Sequence, residues 1–431
     1  MAVGAVQRFV APRRTRRVIR WVIAGAGSAG IVLASRLAAR RDHEVVLLES
    51  GSSTPASTTG SSFFDVLAEP GRTFDDLTAV RVDGQAPAGY RRGRGLGGSG
   101  AVNAMVALRG GPFDADHRLH TELADPAELG AVDRALLDAA PDATRVPLTR
   151  RHGRRITAAE CYSLDGVEVR GNAHVDRVLL DGTRAVGVRL ADGSELAADR
   201  VVVSAGAIHS PAVLLRSGVG VPGIGMGLKD HPSAPITLAL RPEATADPSS
   251  LAAATLLQRG PVQVLPLNHV GRTATGYGLL LPALMRVRSE GSVTLASDDP
   301  WEQPTVSFRM LSHPDDVHGM VDAVEVALEL LRHPSFERIL HAVYVDDAGT
   351  GIDVLNSRER IAEWLPGHVG DYVHASSTCR MGVVVDELCR VIDHEGLYVC
   401  DASVFPDVPE VNTHIPTVML AETMAARWAV S

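Results

Sequence analysis

Aromatic residues are scarce in this chain of 431 residues, since Phe, Trp and Tyr together make up only 4% of the sequence. The core must therefore be built mainly from Val, Leu, Ile and Ala. Long apolar runs are missing too: no stretch of about 18 apolar residues occurs, so we expect no membrane span. The 41 Gly and 25 Pro follow no short repeat, which excludes a collagen-like chain.

Positive charge and cysteine are also in short supply. The 42 Lys and Arg against 51 Asp and Glu give a formal net charge of −9, which disfavours nucleic acid as a partner, since phosphate binding needs a basic field. Cys161, Cys379, Cys389 and Cys400 show no CxxC spacing, so we interpret them as reduced thiols of a cytoplasmic protein. The 16 histidines show no metal-type spacing either, and we predict no metal site.

The amino terminus is strongly basic. Its first twenty residues contain six arginines, and residues 15–20, ahead of an apolar stretch, resemble a twin-arginine export signal. We expect no export, because the same apolar residues are needed for the first strand of the fold. Residues 1–20 are therefore interpreted as a basic extension, which leaves peripheral membrane association open.

The first nucleotide signal follows directly. A short apolar strand over 22–24 leads into Gly25, Gly27 and Gly30, which fit G-x-G-x-x-G, and a helical spacing of apolar residues comes next. Such glycines permit a tight turn, a close backbone approach to a pyrophosphate and close packing of helix on strand. Glu49 ends a second strand about 20 positions later, where a carboxylate accepts hydrogen bonds from a ribose diol. The pattern predicts an ADP-containing dinucleotide without deciding between FAD and NAD.

A second glycine-dense loop, RRGRGLGGSG, lies at 91–100 and runs into small and apolar residues over 101–110. Glycines let a backbone approach a ligand closely, and exposed N–H groups suit phosphate or flavin oxygens. A surface loop would have polar neighbours instead. We therefore interpret this loop as part of a cofactor site.

The middle of the chain predicts a β-meander. Strands are expected over 172–180, 184–190 and 194–198, with Asp-Gly pairs at both turns. A buried strand at 201–203 follows, and a helix over 211–215 is expected to begin at its proline. The meander is then an insertion in a nucleotide-binding domain built around a βαβ unit.

The second half of the chain predicts a mixed α+β region over 232–370. It contains an alternating strand at 292–295 and an amphipathic helix over 315–331. A last helix is expected over 418–428, opened by residues 412–417, whose free N–H groups suit an anionic ring or a carbonyl. No G-x-S-x-G or P-loop motif occurs.

Four blocks in chain order resemble the glucose–methanol–choline family of FAD-dependent oxidoreductases. The segment 227–232 fits the family as well. The blocks are the 25–30 turn with Glu49, the 93–105 loop, the 204–218 segment and the carboxyl-terminal stretch from His374 to His414.

The resemblance implies an α/β fold: a Rossmann-like FAD-binding domain with the inserted β-meander over 21–231 and 371–431, and an α+β substrate-binding domain with an antiparallel sheet over 232–370. It also implies non-covalent FAD, since no His stands near Ala101, where covalent members attach the flavin. The residues assigned to FAD are Gly25, Ala26, Gly27, Ser28, Ala29, Gly30, Glu49, Ser50, Arg94, Gly97, Gly98, Ser99, Asn103, Ala104, Met105, Val106, Val175, Ala205, Gly206, Asp401, Ala402, Pro416 and Thr417.

His374 and His414 are the implied catalytic pair, with His374 as base. A neutral imidazole accepts the proton of an alcohol, hydride then passes from the carbinol carbon to flavin N5, and the second side chain stabilises the developing alkoxide. The resemblance thus implies the oxidation of a primary or secondary alcohol. His209, His231 and His394 are interpreted as ordinary hydrogen-bonded residues.

The chain also departs from the family. Gly100 stands where the family often has Ser, and Ser377 where it often has Gly. The interval 110–153, which contributes to the lid in the family, is compressed. This compression predicts an unusually open active site. Because an open site excludes water less well, it suits an oxidase poorly and favours a dehydrogenase that passes electrons to an acceptor other than oxygen. In length and composition the chain resembles short actinobacterial members found alongside mycofactocin, a peptide-derived redox carrier.

Three other functions stay open at this point: an FAD-containing lyase of the same fold, a non-catalytic protein that binds FAD or a partner, and an NAD-dependent Rossmann enzyme. The carboxyl-terminal blocks count against the last. Neither the alcohol, the electron acceptor nor the oligomeric state follows from the sequence, because no motif constrains the side chains over 232–370.

Overall fold

The computed structural model describes residues 18–56, 63–247, 249–271 and 273–429. Most of the predicted basic extension lies outside these ranges, and Arg20 lies in the first strand. Within the described ranges no helix is long and apolar enough to cross a membrane. The α-helices there are α1 (Ser28–Ala38), α2 (Phe63–Leu67), α3 (Ser99–Val102), α4 (Ala131–Ala139), α5 (Ala158–Cys161), α6 (Gly206–Arg216), α7 (Pro314–Leu331), α8 (Pro334–Ile339), α9 (Arg358–His368) and α10 (His414–Trp428).

The strands form one parallel sheet and several antiparallel ones. In chain order they are β1 (Ile19–Ala24), β2 (His43–Leu48), β3 (Thr78–Ala79), β4 (Ala88–Gly89), β5 (Glu122–Leu123), β6 (Thr144–Arg145), β7 (Pro147–Leu148), β8 (Arg150–Arg151), β9 (Arg154–Arg155), β10 (Val167–Arg170), β11 (Val175–Asp181), β12 (Arg184–Leu190), β13 (Glu195–Ala197), β14 (Arg200–Val203), β15 (Met226–Leu228), β16 (Ile236–Leu240), β17 (Thr255–Arg259), β18 (Val262–Leu267), β19 (Tyr277–Leu284), β20 (Gly291–Thr294), β21 (Thr305–Ser307), β22 (Leu340–Tyr344) and β23 (Leu397–Val399).

The parallel sheet has five strands in the order β10-β2-β1-β14-β23. The last four residues of β1 and of β2 are all buried, as expected for a parallel sheet covered on both faces. Helix α1 follows β1 and packs against α10. The edge strand β23 comes from near the carboxyl end, so distant parts of the chain build this sheet.

The meander β11-β12-β13 is antiparallel and lies in the chain between β10 and β14. Its strands agree closely with those expected from the sequence. Because β10 and β14 both belong to the parallel sheet, the meander is an insertion into it. The Rossmann-like half of the predicted fold class, with its inserted meander, is confirmed.

A six-stranded antiparallel sheet forms the second large layer, in the order β22-β16-β19-β18-β17-β6. The expected amphipathic helix is α7, which packs against β18 and β19. The expected strand at 292–295 is β20, which belongs to a smaller sheet with β15 and β21. The interval 110–153, which the sequence predicts to be compressed, holds α4 and the strands β5 to β8, of which β6 pairs with β17 at the edge of this layer.

Although aromatic residues are scarce in the chain, three aromatic side chains meet at one point of the core. Trp21 on β1 stacks on Trp428 of α10, with ring centroids 5.7 Å apart, and Tyr398 on β23 packs against both. Aliphatic residues from β1, α1, β2, β14 and α10 fill the surrounding core, as the composition predicted. These aromatic rings join the first strand, the last strand and the last helix.

The prediction that the helix after β14 begins at Pro211 is wrong, because α6 begins at Gly206 and carries Pro211 inside it. A proline lacks the N–H that would bond to the carbonyl four residues earlier. That carbonyl belongs to Ala207, and it accepts a hydrogen bond from the Thr378 hydroxyl at 2.7 Å instead. A distant side chain thus replaces the missing helical bond.

Replacing Thr378 with Val is expected to destabilise the protein by about 1–3 kcal/mol, because the buried Ala207 carbonyl loses its partner while the side-chain shape is kept. Urea unfolding measures this loss. The single variant P211A and the double variant T378V/P211A complete a double-mutant cycle, since alanine at 211 restores the helical N–H. The double variant should lose less stability than the two single variants added together, and strict additivity would contradict this account.

The last helix also begins earlier than expected. Residues 418–428 are helical, but α10 starts at His414, so that Pro416 lies in its first turn. The first N–H groups of a helix have no intrahelical acceptor, so a proline is tolerated there. This earlier start fixes His414 at the amino-terminal end of α10.

Candidate active site

A cavity of about 480 Å³ lies at the carboxyl ends of the parallel strands. Residues that follow β1, β2, β14 and β23 line it, and ligands of open α/β sheets bind at this edge. None of its lining residues comes from the described interval 110–153. The predicted site residues that line it are Gly25, Gly27, Ser28, Ala29, Glu49, Ser50, Gly98, Ser99, Asn103, Ala104, Val106, Val175, Ala205, Gly206, His374, Asp401, Ala402, His414 and Thr417.

Two kinds of glycine form the turn between β1 and α1. A Cβ on Gly25 would lie 2.3 Å from the Ser204 carbonyl oxygen, and one on Gly30 would lie 1.9 Å from the Gly25 carbonyl oxygen, so these two glycines serve packing. A Cβ on Gly27 would meet nothing within 4 Å. Gly27 also caps α1 without a side-chain bond, and the first turn of that helix carries no acidic residue. The positive end of α1 therefore faces open space suited to a pyrophosphate.

Glu49 stands at the end of β2, where its buried carboxylate also lines the cavity. Its oxygens accept hydrogen bonds from the main-chain N–H groups of Ala26, Gly51 and Gly95, at 2.8–3.0 Å. These three donors come from different loops. The carboxylate is therefore fixed in place as an acceptor at the position where a ribose diol is expected.

A second carboxylate, Asp401, organises another part of the cavity wall. Its Oδ2 accepts bonds from the Gly206 N–H and the Ser210 hydroxyl, and its Oδ1 accepts from the Ser403 N–H. Gly206 has a φ of +82°, and a Cβ there would meet nothing within 4 Å. Asp401 thus joins the start of α6 to the segment after β23 and leaves open space along the cavity.

Six predicted site residues are not part of the cavity lining. The Gly97 N–H donates to the Ala26 carbonyl at 2.8 Å, which couples the second glycine loop to the first. The guanidinium carbon of Arg94 lies 5.7 Å from the ring centroid of Phe74, which does line the cavity. The six are Ala26, Gly30, Arg94, Gly97, Met105 and Pro416.

His374 is buried at one side of the cavity and contacts a second histidine. Its Nδ1 lies 2.9 Å from His231 Nδ1, so one of these two nitrogens donates to the other. On the other side of the ring, Asn412 Nδ2 lies 3.4 Å from His374 Nε2. Burial lowers the pKa of His374 well below its usual range and that of His231 to about 3. Both rings are therefore neutral near pH 7.

Asp230, His231 and His374 bring possible metal-ligand atoms within 4.8 Å of one another. Hydrogen bonds within the protein explain why these three side chains lie together. Asp230 Oδ1 accepts from the main-chain N–H groups of His231 and His374, and its Oδ2 accepts from the Tyr90 hydroxyl at 2.8 Å. Burial raises the pKa of Asp230 to about 7. The carboxylate therefore holds the backbone of both histidines rather than offering free oxygens to an ion.

His414 lines the cavity from the start of α10. Its Nδ1 lies 3.1 Å from Asn103 Nδ2, while its buried Nε2 has no hydrogen-bond partner among the described residues. A Cβ on Gly100 would lie 2.7 Å from that Nε2, so the glycine makes room for the ring. Burial lowers the pKa of His414 to about 4, which also keeps this imidazole neutral near pH 7.

Profile comparison decides the family. Two profiles of the GMC oxidoreductases match residues 142–233 and 287–421, which together exceed half of the chain. The chain belongs to the GMC oxidoreductase family. The predicted resemblance is thereby confirmed, as are the fold class, FAD as the cofactor and the assignment as an oxidoreductase; a subgroup associated with mycofactocin stays a prediction.

Several GMC relatives match nearly the whole chain. It is 29% identical to 5-(hydroxymethyl)furfural oxidase of Methylovorus sp. (strain MP688), over 95% of this chain and 98% of that one. It is 28% identical to the oxygen-dependent choline dehydrogenase of Burkholderia lata, over 95% and 93%. Pyridoxine 4-oxidase from Mesorbium loti matches in fold, with a TM-score of 0.84 and 22% identity over 96% and 99% of the two chains.

The comparison also bears on chain length. The alignment with the furfural relative spans 523 residues, whereas this chain has 431, so that relative contains segments that this GMC member lacks. This difference agrees with the predicted shortening. Its assignment to the interval 110–153 stays a prediction.

Several residues at the site were not assigned from the sequence. His231 was interpreted as an ordinary hydrogen-bonded residue, yet it contacts the ring of His374. Asn412 was included only in the segment 412–417 that opens the last helix, and Arg155, which contacts Asn103, was given no role. For His231, the sequence signal that could have indicated a place at the site was its position next to Asp230 within the family segment 227–232.

Proposed function

We propose that this GMC oxidoreductase oxidises a primary or secondary alcohol to the corresponding carbonyl compound. The observation that carries the proposal is the pair His374 and His414, two buried neutral imidazoles on the same cavity as the glycine turn of α1. Bound FAD would supply the hydride acceptor. The residues described below would bind the alcohol, accept its proton and stabilise its oxygen.

His374 is the base in this proposal. A proton on its Nδ1, donated to His231 Nδ1, leaves a lone pair on Nε2. Asn412 Nδ2 lies 3.4 Å from that Nε2, a long contact that a hydroxyl group can replace. The alcohol proton would pass to Nε2, and His231 would keep accepting from Nδ1 as the ring becomes charged.

His414 acts as the second group. Its Nε2, which has no hydrogen-bond partner among the described residues, is the atom that would hold the alcohol oxygen. A hydrogen bond to that oxygen strengthens as negative charge develops there, which lowers the barrier to hydride departure. The two histidines thus divide proton acceptance and oxygen stabilisation between them.

The substrate body is proposed to be apolar. Strands β18 and β19 contribute Leu265, Leu267 and Leu281 to the cavity, and Pro235 adds to the same apolar wall. Asp371, a carboxylate on the cavity, is held by an ion pair with Arg81 at 2.6 Å. Apolar walls bind an aliphatic or aryl body better than a cationic one.

The FAD roles follow the glycine turn and the two carboxylates. We propose that Gly27 and Ser28 at the start of α1 hold the pyrophosphate, that Glu49 holds the adenosine ribose, and that Val175 contacts the adenine. Asp401 supports the wall along the ribityl chain. Because no His lies near Ala101, the cofactor is proposed to be dissociable.

Electrons are proposed to leave to an acceptor other than oxygen. The support is that none of the described residues of 110–153 covers the cavity, so a bulky acceptor such as a quinone or a peptide-derived carrier has room to approach. The test is to reduce the protein with an alcohol and to compare the rates at which oxygen, a quinone, a dye and mycofactocin reoxidise its flavin. Faster reoxidation by oxygen than by every other acceptor would overturn this part.

An anaerobic alcohol panel tests the function. Aryl and medium-chain aliphatic alcohols are expected to bleach the oxidised flavin band, and choline is expected to reduce it at least ~10-fold more slowly, because the cavity wall is apolar. A stopped-flow spectrometer follows the bleaching. An FAD-containing lyase would cleave a cyanohydrin and leave the flavin oxidised, and a non-catalytic protein would leave it oxidised with every compound.

A further inference from the structure

Arg155 is a buried cation that no step above uses. Its side chain is fully buried on β9, and among the described residues no carboxylate forms an ion pair with it. Desolvation lowers the pKa of Arg155 to about 10, so the guanidinium stays charged near pH 7. A lone buried guanidinium is expensive to keep, and this one lies next to the cavity residue Asn103.

Arg155 makes both of its hydrogen bonds to Asn103. Nη2 donates to the Asn103 main-chain carbonyl at 2.7 Å, and Nη1 donates to its side-chain oxygen Oδ1 at 3.2 Å. The main-chain N–H of Met105 donates to the same Oδ1 at 3.0 Å. Both of these neighbours are donors only, so the acceptor end of the amide must face them.

The orientation of Asn103 settles the protonation of His414. With Oδ1 held by Arg155, the amide nitrogen Nδ2 faces His414 Nδ1 at 3.1 Å and donates to it. A nitrogen that accepts carries a lone pair, so the ring proton of neutral His414 lies on Nε2, the atom next to Gly100 that has no partner among the described residues.

A charged His414 would break this chain of bonds. Imidazolium has an N–H at both positions, so its Nδ1 would meet the Asn103 N–H as donor against donor. The titratable groups that act on His414 are His117 and Arg155, and a positive charge on either lowers its pKa, in the same direction as burial. Charge and burial therefore keep the ring neutral, and the orientation of Asn103 places its proton on Nε2.

We propose that Arg155 is a positioning residue which, through Asn103, keeps His414 neutral with its proton on Nε2. The proposal deepens the function proposed above and rests on it for its catalytic meaning. It makes His414 a fixed hydrogen-bond donor to the substrate oxygen and leaves His374 as the base. Arg155 itself touches neither the substrate space nor, by this account, the reacting atoms.

Two variants test the chain of bonds from opposite ends. N103D is isosteric and places a carboxylate against His414 Nδ1, which should draw the proton to Nδ1 and raise the pKa of His414 by about one to three pH units. R155M keeps the length of the side chain but removes one of the two donors that hold Asn103 Oδ1, so that only the Met105 N–H still opposes a turn of the amide. Should R155M fail to fold, R155K, which keeps the charge without the paired donors, takes its place with the same expectation for the tautomer.

The first readout is the tautomer itself. Nitrogen-15 NMR of the FAD-bound protein, with the His414 signals assigned by their loss in H414Q, should show a protonated Nε2 from pH 5 to 9. In N103D the proton should move to Nδ1, and in R155M or R155K both tautomers should be populated. A wild-type ring protonated on Nδ1, or variants whose His414 signals match the wild type, would overturn the proposal.

The second readout is the pH profile of flavin reduction by an alcohol. N103D should lower kcat about 100-fold and move the acidic limb upward, with KM less affected. R150M is the matched control: Arg150 pairs with Arg155 across β8 and β9 and is also buried, but its partners are Glu122 and Glu128. It should lose stability with unchanged His414 signals. If no alcohol reduces the wild-type flavin, the proposed function fails, while the NMR result still decides the role of Arg155.

Discussion

The variant H374A is expected to reduce its flavin with alcohol about 10²–10⁴-fold more slowly than the wild type while keeping its FAD. General base catalysis by a positioned imidazole contributes a factor of this size. The ring lies on the cavity beside Asn412, and its removal leaves the glycine turn and Glu49 intact. Anaerobic stopped-flow spectroscopy measures the rate, and the absorbance ratio of flavin to protein measures the retained FAD.

An exposed histidine provides the control for that variant. His318 lies on the outer face of α7, away from the cavity, so H318A is expected to keep the wild-type rate. Raising the pH should not rescue H374A, because no other group takes the position of the base. A rate in H374A within threefold of the wild type would remove His374 from the mechanism.

The variant G27L is expected to weaken FAD binding at least ~100-fold with little change in the stability of the apoprotein. Gly27 has a φ of −80°, which any residue adopts, and a Cβ there meets no protein atom within 4 Å. The added side chain therefore leaves the backbone into the space in front of α1, where the pyrophosphate is proposed to lie. Titration of the apoprotein with FAD, followed by flavin fluorescence, gives the dissociation constant.

Variants of two other glycines serve as controls, because they distinguish weaker FAD binding from a loss of fold stability. Gly220 is exposed and its Cβ would also meet nothing within 4 Å, so G220L should bind FAD normally. In G30A the added methyl group would overlap the Gly25 carbonyl oxygen, so this variant should lose stability even without FAD. Normal FAD affinity in G27L would show that the pyrophosphate lies elsewhere.

The elements that the sequence predicted best are those with a local cause. The G-x-G-x-x-G turn, the meander and helix α7 each follow from spacing and turn residues within a short window, and each is present. Pro211 misled because its missing bond is replaced by Thr378, which is remote in sequence. A local sequence pattern could not show that the Thr378 hydroxyl replaces the missing N–H of Pro211.

The candidate site likewise contains residues that a sequence block marks and residues that only the fold brings together. His374 and His414 were found because each stands in a block that resembles the family. The contacts that set their protonation, from His231 and from Arg155 through Asn103, join residues 143 and 52 positions apart. No periodicity marks such pairs, because they form only when separate loops meet at the edge of the parallel sheet. His231 and Arg155 were therefore assigned from the structure.

The joining of distant segments at one sheet has a consequence for synthesis on the ribosome. Asn103 and His414 lie 311 residues apart, so on the order of 15–60 s of translation separate them at ordinary elongation rates. During that interval the nascent chain exposes the apolar edge of β14 that β23 later covers. The cavity is therefore complete only after helix α10, which carries His414, has left the exit tunnel.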